Sequence, residues 1–161
     1  MTDEDFMRRA IALAQQGTRD PDGGPIGCVI VQNGEILAEA HNEVDASHDP
    51  TAHAEITAMR RAGAKLRRAQ FKGATLYSTL QPCGMCSMAC IWAGISRIVY
   101  GAERHQVHRM YFEDRHFNTI DFITDAFKDD ITIAGGLLAT DCAALYYAPD
   151  DNPPKQEQAN I

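Results

Sequence analysis

"ATLYSTLQPCGMCSMACIWAGISRIVYGA", residues 74 to 102, decides the fold. Its first seven residues are β-branched, aromatic and apolar, which predicts a strand. Pro82 then precedes "CGMCSMACIWAG", and Gly94 can end the helix that Pro82 helps to start. "SRIVYGA" returns to strand chemistry. Upstream, "TDEDFMRRAIALAQQG" predicts a helix from residue 2. Thr2 is its cap, Phe6, Ala10, Leu13 and Ala14 form its apolar stripe, and Gly17 is its stop. "IGCVIV" and "EILAEA" flank Asn33-Gly34, a hairpin signal. "AHAEITAMRRAGAKL" predicts a second helix, with Ile56, Met59, Gly63 and Leu66 on its inner side. Downstream, "TDAFKDD" reads as helix and turn, "ITIAGGLL" as a short strand and "ATDCAALYYA" as a last helix. Helix, hairpin, helix, strand, helix, strand, helix is an α/β layer pattern.

The totals narrow the class. The chain has 161 residues, 45% hydrophobic, enough for one domain with its own core. That domain is expected over residues 1–148, with a polar, Pro-containing tail at 149–161. No apolar run reaches the length of a membrane span, and "MTDEDFMRRA" lacks the basic and apolar parts of a signal peptide. Five cysteines, an odd number without a secretion signal, argue for a reducing, cytoplasmic home. A net charge of −7 disfavours a large nucleic-acid interface without excluding one. "RRAGAKLRR", residues 60–68, is a local exception; it reads as a solvated helix face or as a phosphate track.

Cys83 and Cys86 have metal-ligand spacing at a helix start, where free N–H groups favour the thiolate that binds zinc. A lone C-x-x-C is also compatible with redox chemistry or with half of a structural zinc site. Cys90 continues the same helix face. It lies about 10 Å from Cys83 along the axis, too far to share one metal, so it reads as a core thiol, as do Cys28 and Cys142. In "DPTAHAEITAMR", residues 49–60, His53 supplies a third ligand. One His and two Cys leave the fourth tetrahedral position open, the catalytic pattern. Glu55 lies about 200° around a helix from His53. It is badly placed to join the ligand set and well placed to carry a proton beside it.

His53-Ala54-Glu55 with Pro82-Cys83-Gly84-Met85-Cys86 resembles the H-x-E … P-C-x-x-C signature of zinc-dependent nucleoside and nucleobase deaminases. Residues 3 to 147 look most like bacterial guanine deaminases and tRNA adenosine deaminases; fungal cytosine deaminases share the C-x-x-C helix. The resemblance implies a three-layer α/β/α fold with a mixed five-stranded sheet, one zinc per subunit and a homodimer. It implies hydrolysis of an exocyclic amine to a ring carbonyl and ammonia, with His53, Cys83 and Cys86 on zinc and Glu55 moving protons. Asn42, the N–H of Ala54 and the carbonyl of Thr79 or Leu80 would face the ring; Asn42 is also a good turn residue. "YFEDRHF", residues 111–117, resembles the F-D-D stretch of guanine deaminases and makes Asp114 a substrate contact, with Glu113 as a departure from the pattern. "ERHQVHRMYFED" lacks the small-residue stretch usual in tRNA adenosine deaminases. The first expectation is therefore a small nucleobase or nucleoside, guanine-type and then cytosine-type. A tRNA adenosine deaminase is the alternative, and a non-catalytic zinc-binding module a remote one.

Three further features have two readings each. His105 and His108, with His116 near, suggest a second metal site or solvated histidines. Phe112 and Trp92 suggest a stacking platform or core. His48 suggests a pocket rim or a plain loop.

Overall fold

The computed structural model describes residues 1–112, 121 and 131–154. Helix α1 (Asp3–Arg19) opens with Thr2 as cap. Its hydroxyl accepts from the Asp5 N–H while the Asp5 carboxylate accepts from the Thr2 N–H. Phe6, Ala10, Leu13 and Ala14 are buried as the stripe requires. Gly17 does not end the helix, which runs one half-turn further. A Cβ there would stand 2.2 Å from the Gly24 carbonyl oxygen, so this glycine serves close packing.

Strands β1 (Gly24–Gln32) and β2 (Glu35–Asn42) form the hairpin. Asn33 and Gly34 both take positive φ, 54° and 80°, the turn that matches strand twist. A short helix α2 (Val44–Ser47) leads to α3 (Ala54–Leu66), then β3 (Thr75–Leu80), α4 (Gly84–Trp92) and β4 (Arg97–Ala102). Two 3-10 turns, Arg104–Gln106 and Arg109–Tyr111, follow. Strand β5 (Thr132–Ala134) and helix α5 (Ala139–Ala143) end the regular structure. The last helix is shorter than "ATDCAALYYA" predicts, and "TDAFKDD" lies outside the described residues.

The sheet order is β2-β1-β3-β4-β5. β1 is antiparallel to both neighbours, and β3, β4 and β5 are parallel, so the sheet is mixed. Helices cover both faces. Gly27 lies beneath α1, where a Cβ would meet the Ala10 carbonyl at 2.0 Å, and Gly101 lies beneath Cys142 of α5. Ser78, one residue from Thr79 on the alternating strand, faces α3 on the opposite side. The expected three layers are present. The core between them includes Met7, Ile30, Leu76, Ile95 and Ile98, all fully buried.

Helix α3 turns differently from its apolar pattern. Ala54, Glu55, Ala58, Met59 and Ala62 are buried, whereas Ile56, Gly63 and Leu66 are only partly covered. Small residues let α3 approach the sheet closely, and they carry Glu55 inward with them. Pro82 stands one residue before the Cys83 cap rather than in the first turn, and Gly94 takes φ +66° just past the end of α4. In the tail, Pro153 is buried, and residues 155–161 lie outside the described set. No helix among the described residues is long and apolar enough to cross a membrane.

Candidate functional site

Two helix N-termini meet beyond the end of β3. His53 is the cap residue of α3 and Cys83 the cap residue of α4, both with extended backbone. Neither side chain caps its helix, so both are left to face each other. His53 Nδ1 lies 3.7 Å from Cys83 Sγ and 3.6 Å from Cys86 Sγ. The donor atoms of all three residues fall within 4.8 Å of one another, the one such group among the described residues. Zinc–sulfur bonds near 2.3 Å and zinc–nitrogen bonds near 2.0 Å at tetrahedral angles require nitrogen–sulfur edges of about 3.6 Å. The spacing fits zinc.

Protonation points the same way. The Cys86 thiol donating to the Cys83 sulfur, with His53 beside it, holds Cys83 at about 4. The same pairing, together with burial, pushes Cys86 well above an ordinary thiol. The pair thus releases one proton readily and holds the second until a cation competes for it.

Glu55 is 3% exposed in the first turn of α3. The Ser78 hydroxyl, itself fully buried, donates to its Oε1 at 3.1 Å. Oε2 lies 3.5 Å from Cys86 Sγ. The carboxylate therefore stands against one edge of the triad and outside it. Burial raises its pKa above the usual carboxylate range, against the opposing pull of His53.

The segment that carries these donors matches a known family. The model of the cytidine and deoxycytidylate deaminase zinc-binding region matches residues 1–102. The chain belongs to this deaminase family. The guanine deaminase of Bacillus subtilis is 43% identical over 114 residues, which are 71% of this chain and 73% of that protein. The tRNA-specific adenosine deaminase of Buchnera aphidicola is 37% identical over 144 residues, 89% of this chain and 85% of that one. A solved guanine deaminase from Nitrosomonas europaea superposes with a TM-score of 0.78 at 27% identity, covering 89% of this chain and 82% of that one. This deaminase is thus a zinc-dependent hydrolase, and the redox and closed-site readings of its C-x-x-C lapse.

The deaminase has a cavity of about 670 Å³ between the start of β1, the end of β2 and the segment after α5. Asn42, Gly24, Pro25 and Val44 form one wall and Tyr111, Leu145, Tyr146 and Tyr147 another. The lining holds none of the zinc-site residues. The Asn42 Oδ1 accepts from the Val44 N–H at 3.1 Å, which makes it a turn residue. That same bond leaves its amide N–H₂ group for the cavity. Ala54 is buried as the first residue of α3, where a backbone N–H has no partner within the helix. Asp114 and His116 lie outside the described residues.

Other expectations resolve as structure. Phe112 is buried with the Arg104 guanidinium 4.4 Å over its ring, and Trp92 is 73% exposed at the end of α4 and absent from the cavity wall, so neither is a platform there. His105 pairs with Glu103, and His108 accepts from the Met110 N–H; they join no metal group among the described residues. His48 closes α2 in the left-handed conformation and borders a separate shallow hollow with Asp22 and Pro50. Cys28, Cys90 and Cys142 are buried free thiols. Ser78, Thr79 and Tyr146 are the residues that the sequence reading missed as side chains. A serine and a threonine on an otherwise apolar buried strand were the available signal, since a buried polar group needs a partner.

Proposed function

We propose that this deaminase hydrolyses the exocyclic amine of a free purine base, guanine first, with zinc held by His53, Cys83 and Cys86 and protons moved by Glu55. The observation that carries the reading is the placement of Glu55, pinned by Ser78 against the triad without joining it. Bound there, zinc supplies Lewis-acid activation of a water. Glu55 takes a proton from that water and holds it on its carboxylate. It delivers that proton to the ring nitrogen next to the reacting carbon as the water oxygen bonds to that carbon, then takes the proton left on the added hydroxyl and delivers it to the amine, which departs as ammonia while the ring carbonyl forms. Burial raises its affinity for a proton, which suits this carriage. The Asn42 amide and the Ala54 N–H are the donors assigned to the base, and Asp114 is assigned to its edge on sequence resemblance alone.

The free-base reading is favoured over tRNA by the use of the basic run. Arg60 donates to Asp49 and Thr51, Arg61 to Glu43 and Arg68 to Gln32. These side chains are committed to the protein's own surface. The Buchnera relative keeps tRNA as the second reading. Five free thiols support a cytoplasmic setting, and the homodimer implied by resemblance is open to light scattering.

Ammonia release against guanine, adenine, cytosine, their nucleosides and an adenosine-containing anticodon stem-loop tests the proposal. Guanine turnover is expected, with loss of about 10²–10⁴-fold in Glu55→Gln and unchanged zinc content. Turnover of the stem-loop alone overturns the free-base reading. Full activity in Glu55→Gln overturns the role of Glu55.

A further inference from the structure

Helix α4 presents apolar side chains on both of its faces. Cys86, Cys90 and Ile91 are buried on the inner one. On the outer one Met85, Met88 and Ala89 are only partly covered, and Trp92 is 73% exposed. These four follow the spacing i, i+3, i+4, i+7 and so form a single stripe. No residue of α4 is charged. Apart from Met1, Trp92 is the one exposed large apolar side chain among the described residues. A helix that is apolar all round belongs in an interior. An uncharged stripe of Met and aromatic side chains has the composition of an interface core.

The order of the stripe says what covers it. Reversed about the midpoint between Met88 and Ala89, it maps onto itself, with Trp92 falling on Met85 and Ala89 on Met88. Two copies of α4 running antiparallel about a two-fold axis at that midpoint therefore set Trp against Met and Met against Ala. Each contact occurs twice, as a closed isologous interface requires. The indole meets a thioether, a favourable sulfur–aromatic contact. The small Ala89 beside the axis lets the helices approach closely. Charge agrees with this choice of partner. Each chain has a net charge of −7, and the uncharged stripe lets two copies meet without placing like charges against each other.

We infer that the outer face of α4 is the surface through which two copies of this deaminase pair, with Trp92 of each seated on the partner's Met85. This rests on the homodimer reading above and names its face. It also reaches the zinc site. Met85 lies between Cys83 and Cys86 in the first turn of α4, so the partner's Trp92 braces the turn that carries two of the ligands.

Trp92 is the sole tryptophan of the chain, so fluorescence reads this face alone. Light scattering on zinc-loaded wild type, Trp92→Glu, Met85→Lys and the double variant forms the test, with acrylamide quenching of the wild type. Zinc content and Tm are measured on all four proteins. The wild type should have the mass of two 17.7 kDa chains and an indole shielded from quencher. Each single variant should fall to the mass of one chain, because an unpaired charge buried in the interface is costly. Trp92 is exposed in the single chain, so Trp92→Glu should keep its fold. Zinc loss to a chelator should be faster in Trp92→Glu, and an equal rate would overturn the bracing of the ligand turn. In the double variant the new charges are opposite and meet across the axis, so the mass should return to two chains. Within one chain they are two turns, about 10 Å, apart and cannot pair. A double variant that stays monomeric with a native Tm overturns the seating of Trp92 on Met85. A dimeric wild type with a quenchable indole, or a dimeric Trp92→Glu, puts the pairing on another face and overturns the inference alone. A monomeric wild type overturns the homodimer reading and the inference with it.

Discussion

The Ser78 hydroxyl donates to Glu55 Oε1 at 3.1 Å, from the middle of the sheet to the first turn of α3. Both side chains are buried, so water does not compete for the bond. It orients the carboxylate, with its other oxygen toward Cys86. A carboxylate free to rotate would spend less time aligned with the reacting water.

Ser78→Ala removes that orientation and leaves the charge. A hydrogen bond to a charged group is worth about 1.5–3 kcal/mol, so kcat/KM should fall roughly tenfold or more while zinc content stays at that of the wild type. Parallel ammonia and zinc assays check this. Equal turnover with full zinc would show that Glu55 needs no help from β3.

Metal removal should destabilise the whole domain, because the triad joins α3 to α4. A ligand at a thousandfold excess over its Kd stabilises by about 4 kcal/mol, and each kcal/mol shifts Tm by about 2–4 °C at this chain length. Chelation should therefore lower Tm by roughly 10 °C, and added zinc should restore it. Cys83→Ser should lose the response to chelator, and Cys90→Ser should keep it, since Cys90 is a core thiol. A Tm indifferent to chelator in the wild type would mean the three side chains hold no structural cation.

The zinc ligands were legible because each half of the site has its own short motif. Cys83 and Cys86 announce themselves by spacing, His53 by its place beside Glu55 in the H-x-E half of the signature, and the Asn33-Gly34 turn by its need for positive φ. What escaped depends on which strand lies beside which. Ser78 acts on Glu55 only because β3 is central and runs beneath α3, and Tyr146 meets Thr79 across 67 positions of sequence. Gly17 and Gly94 are alike in sequence, yet one packs inside a helix and the other ends one. Periodicity reports a helix face only as far as apolar residues define it, so α3, which packs through alanines, was turned wrongly.

Close packing of α1 gives a stability prediction. A Cβ on Gly27 would lie 2.0 Å from the Ala10 carbonyl oxygen and 2.8 Å from the Ala14 nitrogen, all backbone, which no rotamer change relieves. Gly27→Ala should cost about 3 kcal/mol or more and lower the urea midpoint accordingly. Gly34→Ala meets nothing within 4 Å, so only its left-handed backbone resists, about 1–2 kcal/mol. Equal midpoints for the two variants would remove the packing explanation.

Asp3 supplies a pH-dependent link between α1 and the sheet. Its carboxylate accepts from both terminal nitrogens of Arg97 and from the Tyr77 hydroxyl at 2.6 Å. The Arg97 bonds first, and then the Tyr77 bond, lower its pKa from 3.8 to about 2. A carboxyl lowered on folding stabilises the fold above its unfolded pKa. That contribution is complete above about pH 4, fades as pH falls through 3.8 toward 2, and is gone below 2. The side chains are 42% and 38% exposed, so solvent screening reduces the effect to about 1 kcal/mol. Asp3→Asn should therefore lower Tm by about 2–4 °C at pH 7. The gap between wild type and variant should close as melting is repeated from pH 5 down to pH 2. A gap of constant size across that range would place the effect of Asp3 in packing or in the helix start, and not in its charge.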